Sequence, residues 1–116
     1  MWQIQNVMRP RYVINKGIAK NLIAKSRLFV VEEDYTAVLY NPKDMSVKIE
    51  ASGTCEAAPE GDDRNKIAFS FTGEQTDMLR PGYATIEIYD DAQTLMAYKD
   101  QVAIIRKNSL QIINPS

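Results

Sequence analysis

The chain has 116 residues, of which 45% are hydrophobic and 25% charged, and a formal net charge of −1. That is enough chain for one domain with its own core, in the composition range of ordinary globular proteins. It has no histidine and a single cysteine, Cys55. This excludes a Ser-His-Asp triad, a histidine general base, an internal disulfide and a Cys/His zinc centre.

No apolar run approaches the roughly 18 residues of a membrane span. The opening Trp2-Gln3-Ile4-Gln5-Asn6 lacks the charged segment and apolar block of a signal peptide. The expectation is a chain made and kept in the cytoplasm. Its charge is unevenly spread: residues 1–31 hold six basic and no acidic side chains, while the remaining 85 hold eight basic and fifteen acidic. Such asymmetry fits a basic arm that docks on an acidic surface, either its own body or another.

Residues 1–16 carry Trp2, Ile4, Val7, Met8, Tyr12, Val13 and Ile14 around Arg9-Pro10-Arg11, without strong periodicity. A disordered leader rarely holds so many large apolar groups. Burying Trp2 alone removes roughly 150–250 Å² from water, an upper gain of about 4–6 kcal/mol. The segment therefore reads as docked, with Trp2, Ile4, Val7, Met8, Arg9, Arg11 and Tyr12 as the candidate partner-binding residues. The apolar members predict a dry contact, and the arginines predict carboxylate partners gripped in a bidentate way. Gly17 to Lys25 is ambiguous between one or two helical turns and an irregular edge strand. Nine residues are too few for a basic amphipathic membrane anchor.

From Arg27 the pattern is β. Leu28 to Val31 is a short apolar run, and Glu32-Glu33-Asp34 an acidic turn. Tyr35 to Tyr40 is rich in strand formers, and Asn41-Pro42-Lys43-Asp44 has the residue order of a type I turn. Ser46 to Ala51 alternates, with Val47, Ile49 and Ala51 inward. Ser52 to Asn65 reads as a long exposed loop with clustered Glu56, Glu60, Asp62 and Asp63. That cluster does not match an ordered calcium loop, and a solvated loop is the simpler reading.

The stretch Lys66 to Asp90 reads as strand, capped helical turn, tight turn and strand. Ile67, Phe69 and Phe71 alternate with small or polar residues. Thr72 and Gln75 have the spacing of a capping box, and Arg80-Pro81-Gly82 ends the turn. Tyr83 to Tyr89 then places Ala84, Ile86 and Ile88 on one face. A hairpin turn at Asp90 to Gln93 leads into two final strands, Leu95 to Lys99 and Gln101 to Arg106. Asn108 to Ser116 is a tail. Six or seven short strands with turns every eight to twelve residues predict an all-β antiparallel sandwich. The expected division is an N-terminal extended arm over 1–26, a sandwich over 27–107 and a tail over 108–116.

The chemistry of a site is sparse. There is no Gly-rich phosphate loop, and a thiol without histidine is better read as buried or idle than as a nucleophile. Arg9, Arg11 and Tyr12 have the residue types of a nucleic-acid contact, but the acidic body opposes broad phosphate binding. Tyr35, Tyr40, Tyr83, Tyr89 and Tyr98 would serve an exposed carbohydrate platform, although strand tyrosines more often cover a sheet face. No cofactor or metal is expected.

The segment KIAFSFTGEQTDMLRPGYATIEIYD, followed by a hairpin and QVAIIRK, resembles the immunoglobulin-like module of tailed-phage baseplate upper proteins. The matching positions are Phe69, Phe71, Thr72, Glu74, Gln75, Thr76, Leu79, Pro81, Gly82, Tyr83 and Ile88. The similarity covers residues 66–107 well and 35–51 loosely. It departs at Asn41-Pro42-Lys43-Asp44, where that family has a Gly-x-Pro, Val-Asp-Leu-Thr connection. Related modules also decorate phage capsids. The resemblance implies an immunoglobulin-like sandwich that is a non-enzymatic structural protein of the virion, in baseplate, tail or capsid. Its partners would be other virion proteins and copies of itself, with neither nucleic acid nor membrane. The alternative is a free-standing adhesive or carbohydrate-binding sandwich, and a small carboxylate enzyme ranks below both.

Overall fold

The computed structural model describes residues 12–107. Seven strands and one short helix follow in order: β1 (Tyr12–Asn15), β2 (Lys20–Ser26), β3 (Asp34–Tyr40), β4 (Lys48–Thr54), β5 (Asn65–Phe71), α1 (Gly73–Met78), β6 (Gly82–Asp90) and β7 (Leu95–Arg106). Five form one sheet in the order β1-β7-β6-β3-β4, and β2 and β5 form the second. All pairings are antiparallel except β1 with β7, which run parallel from Tyr12 opposite Ala103 to Asn15 opposite Arg106. Strands two and five on one sheet, facing three, six and seven on the other with the fourth added beside the third, are the arrangement of an immunoglobulin-like sandwich.

Period-two burial builds the core. Ile67, Phe69 and Phe71 of β5 and Leu22 and Ala24 of β2 are buried against Ala37 and Leu39 of β3, Ile49 of β4 and Ala84, Ile86 and Ile88 of β6. The expected buried set of Ile67, Phe69, Phe71, Ile86 and Ile88 is all at 0–1% exposure. The capping box closes as read: Gln75 N donates to Thr72 Oγ1 at 3.1 Å, and Thr72 N to Gln75 Oε1 at 3.0 Å. Leu79 after α1 is fully buried while Met78 is exposed. The Asn41 turn has its 2.8 Å bond from Asp44 N to Asn41 O.

Four expectations change. The sandwich does not begin at residue 27, because residues 12–26 already contain β1 and β2, and Ile14, Leu22 and Ala24 are fully buried. Gly17 at φ +85° turns the chain between these two strands. Ile18, Ala19, Leu22 and Ile23 satisfy a helical spacing by accident, since only Leu22 of the four is buried and Ile18 and Ile23 are exposed. Leu28 to Val31 forms turns, not a strand, with Phe29 alone buried. β4 runs on to Thr54, and Cys55 beyond it is buried, so the exposed loop is shorter than expected. Finally, Leu95 to Arg106 is one strand with an irregularity, marked by Gln101 at φ +51° and a register shift opposite Ala84 and Ile86.

Gly53 sets how closely the two sheets approach at one side. A Cβ there would lie 2.6 Å from Ala68 O and 2.7 Å from Ile67 Cγ2, so β4 meets β5 through bare backbone. With the bridge between Glu56 and Lys66, this closes the sandwich beside the β4–β5 connection.

Candidate functional site

Six of the candidate partner residues, Trp2, Ile4, Val7, Met8, Arg9 and Arg11, lie outside the described residues. Tyr12 is placed in β1. Its hydroxyl sits 3.3 Å from Ile23 O and 3.4 Å from Ile23 N, and Lys20 Nζ lies 5.5 Å over its ring. Tyr12 thus joins the rims of the two sheets by meeting backbone groups of β2.

The five tyrosines divide. Tyr35 is buried in the core beside Phe29, with ring centroids 5.1 Å apart. The register places Tyr40, Tyr83, Tyr89 and Tyr98 on the outer face of the five-stranded sheet. There Glu87 accepts from Tyr40 at 2.8 Å and from Tyr89 at 2.7 Å. Asp100 accepts from Tyr98 at 2.5 Å and from Thr85 at 3.1 Å. Lys48 Nζ covers the Tyr40 ring at 4.7 Å. Three of these hydroxyls are therefore committed to carboxylates, which fixes the rings and builds a polar aromatic surface.

These contacts raise the pKa of the three tyrosines above the ordinary value. Burial is the main cause for Tyr40, followed by its bond to Glu87. The bond to Glu87 leads for Tyr89, and the bond to Asp100 for Tyr98. The folded protein holds these protons where the unfolded chain releases them. The associated stability is fully present below the unfolded tyrosine value of about 10 and is lost as pH rises through the raised values. An alkaline ultraviolet titration is expected to show Tyr40, Tyr89 and Tyr98 ionising late in the folded protein. Glu87→Gln should bring Tyr40 and Tyr89 down and leave Tyr98 the least altered of the three.

The acidic loop organises itself with its own cations. Asp62 accepts from Arg64 N at 2.9 Å, and its carboxylate meets Lys25 and Arg64, both at 3.4 Å. Arg64's backbone N–H is the first cause of a lowered Asp62 pKa. Arg27 pairs with Asp63. Among the described residues no three His, Cys, Asp or Glu side chains converge to hold a metal ion. The Cys55 thiol is pushed up by burial, with Glu56 adding to it, which opposes a reactive thiolate.

The surface that sequence reasoning missed is the connection between β2 and β3. Leu28, Val30 and Val31 are 54%, 57% and 40% exposed, three large aliphatic groups within four residues. The loop presenting them is tightly held. Phe29 is its buried anchor, and its carbonyl accepts from Asn65 Nδ2 at 2.8 Å. Val30 N donates to Tyr35 Oη at 2.8 Å, Leu28 N to Ser26 Oγ at 3.0 Å, and Glu32 N to Cys55 O at 2.8 Å. Glu32 takes φ +73° to complete the reversal. Rigidly presented apolar groups lose little entropy on docking. The apolar run was visible in the sequence; that its members point outward depends on Phe29 being the one side chain drawn into the core.

Folding also sorts the charges into two ends. With this loop lie Glu32, Glu33 and Asp34, the Glu56, Glu60, Asp62 and Asp63 of the β4–β5 connection, and Asp90 and Asp91 of the last hairpin. Of these nine carboxylates, Asp62 and Asp63 take Lys25, Arg27 and Arg64, and the other seven form no ion pair among the described residues, although a fourth cation, Lys66, stands at this end opposite Lys25. The opposite end carries Lys16, Lys20, Lys43, Lys48, Arg80, Arg106 and Lys107 against Asp44, Glu74, Asp77 and Asp100. A groove of about 390 Å³ opens at this basic end, between Pro42, Lys43, Arg80, Pro81, Tyr83 and Asp100. Exposed Met45 and Met78 belong to the same end.

No family model matches the chain, and no curated protein does. Among solved structures the chain is similar to a chicken TCR, with a TM-score of 0.42 and 8% identity, over 87% of this chain and 55% of that one.

Proposed function

We propose that this protein is a non-enzymatic structural module of a tailed-phage virion, an immunoglobulin-like block of the baseplate, tail or capsid surface that works by assembly. The single observation that carries the assembly reading is the rigid β2–β3 loop, which holds Leu28, Val30 and Val31 in water on a tightly bonded frame. Contiguous exposed aliphatic groups on a preorganised loop mark a protein contact. The virion part of the reading is supported by the resemblance of residues 66–107 to baseplate-upper-protein modules. The partners are other virion proteins and further copies of the chain, met without nucleic acid, membrane or cofactor.

A carbohydrate-binding sandwich is the second reading, favoured by the outer face that carries exposed Tyr83 and half-buried Tyr89 and Tyr98, with Tyr40 buried among them. Three of their hydroxyls are already spent on Glu87 and Asp100, which leaves fewer polar groups to orient a sugar. Purified particles separate the two. The virion reading expects the chain at fixed stoichiometry in particles, by quantitative mass spectrometry, and no retention on a glycan array. Absence from particles together with glycan retention would replace it with the second reading.

A further inference from the structure

We propose that copies of this chain associate head to tail, the β2–β3 loop of one copy seating in the groove at the basic end of the next. This rests on the assembly reading above and names the partner of the loop described there. Three observations carry it.

The first is chemical fit. The loop offers Leu28, Val30 and Val31, and the groove offers Pro42, Pro81 and the exposed Tyr83 ring, with Met45 and Met78 exposed at the same end. Aliphatic groups against proline, methionine and an aromatic ring give the apolar centre of a contact. The second is charge. Around the loop stand seven carboxylates without ion pairs among the described residues, and Lys43 and Arg80 line the groove against one carboxylate, Asp100, which accepts from Thr85 and Tyr98, at an end where cations outnumber carboxylates. An apolar centre with complementary charged rims fixes orientation and speeds encounter. The third is distance. The loop precedes the start of β3, which pairs with the end of β6, while the groove adjoins the start of β6. Nine residues of β6 at about 3.3 Å each separate the ends by roughly 30 Å. The two surfaces cannot meet within one rigid sandwich, so any contact between them is a contact between molecules.

A contact between unlike surfaces is heterologous and propagates into a ring or a filament unless something stops it. It is small, so it is expected to be weak in solution and to weaken further with salt, which screens the rims. The contact covers the Tyr83 edge of the outer tyrosine face and leaves the part around Tyr89 and Tyr98 open to another component.

The test uses the full chain in sedimentation velocity over a concentration series, at low and high salt, with variants Val30→Asp and Arg80→Glu. Both positions are exposed, and unchanged melting curves confirm the fold. The parent is expected to form species larger than a dimer at low salt and to lose them at high salt. Each variant alone is expected to associate at least tenfold more weakly. An equimolar mixture of the two should form a dimer and stop, because Val30→Asp keeps an intact groove and Arg80→Glu an intact loop. A parent that stays monomeric throughout overturns the proposal, as does a mixture that associates no better than either variant. Self-association by a chain absent from purified particles would sink the virion reading and leave this contact standing. A monomeric chain found in particles would do the reverse.

Discussion

Phe69→Ala is expected to cost about 3–5 kcal/mol of stability, a large part of the roughly 5–15 kcal/mol that domains of this size possess. Phe69 is fully buried at the centre of β5, directly opposite Leu22 of β2. Among the described residues that sheet has two strands, with no third strand bracing them through a hydrogen-bonded ladder. Packing of their inner faces onto the five-stranded sheet is what holds them, and Phe69 is the middle of that packing. Truncation removes the ring's transfer free energy and leaves a cavity that the flanking Ile67 and Phe71 cannot fill without breaking the strand's alternation. Thermal melting by circular dichroism should fall by roughly 15–30 °C. Ser70→Ala, on the exposed side of the same strand, is the control and should stay within about 0.5 kcal/mol. Equal melting of the two variants would mean that β5 does not carry the core.

Deleting residues 1–16 is expected to destabilise the domain by at least as much as truncating a buried isoleucine, about 2–5 kcal/mol. The deletion removes β1, and with it the fully buried Ile14 and the pairing of Tyr12 to Asn15 with Ala103 to Arg106. It also removes two bonds of Lys16, from its backbone N to Arg106 O at 2.8 Å and from Nζ to Leu79 O at 2.7 Å. β7 would be left as an exposed edge. The arm hypothesis therefore has to be tested one strand earlier, by deleting residues 1–11. If Trp2, Ile4, Val7, Met8, Arg9 and Arg11 serve a neighbouring molecule, that shorter deletion should melt close to the full chain and fail to join its assembly. If it melts as low as the longer deletion, those residues support their own domain and do not serve as an arm for a neighbouring molecule.

Three kinds of feature were legible before the fold was known. Ile67, Phe69 and Phe71, and Ile86 with Ile88, announced their strands because one side of each strand faces water and the other does not. Thr72 with Gln75 announced a cap, and Asn41 a turn, because their side chains bond to backbone only a few residues away, while Pro42 presets the φ that the turn needs. The missing histidine settled which catalytic groups the chain cannot contain. In each case the deciding interaction is local, or is a count.

Strand β1 escaped notice, and β2 stood only as one of two alternatives for Gly17 to Lys25, because their evidence is not local. Four residues of β1 show no period, and its conformation is set by a parallel partner some ninety residues later in the chain. In β2 the exposed Ile23 blurs the alternation of Leu22 and Ala24, and only pairing with β5 resolves it. The apolar loop after β2 reads equally well as a strand until Asn65 and Cys55, both distant in sequence, and the nearer Tyr35, which first has to be buried in the core, bond its backbone into a turn.

Charge shows the division most plainly. By itself the sequence determined the net charge and its basic beginning. Only the tertiary structure decided that carboxylates from three connections gather at one end, with lysines and arginines from both halves of the chain at the other. Strand direction is the reason. Antiparallel strands return connections that are far apart in sequence to the same end of the sheet, so the arrangement of charge in space follows topology and not chain order.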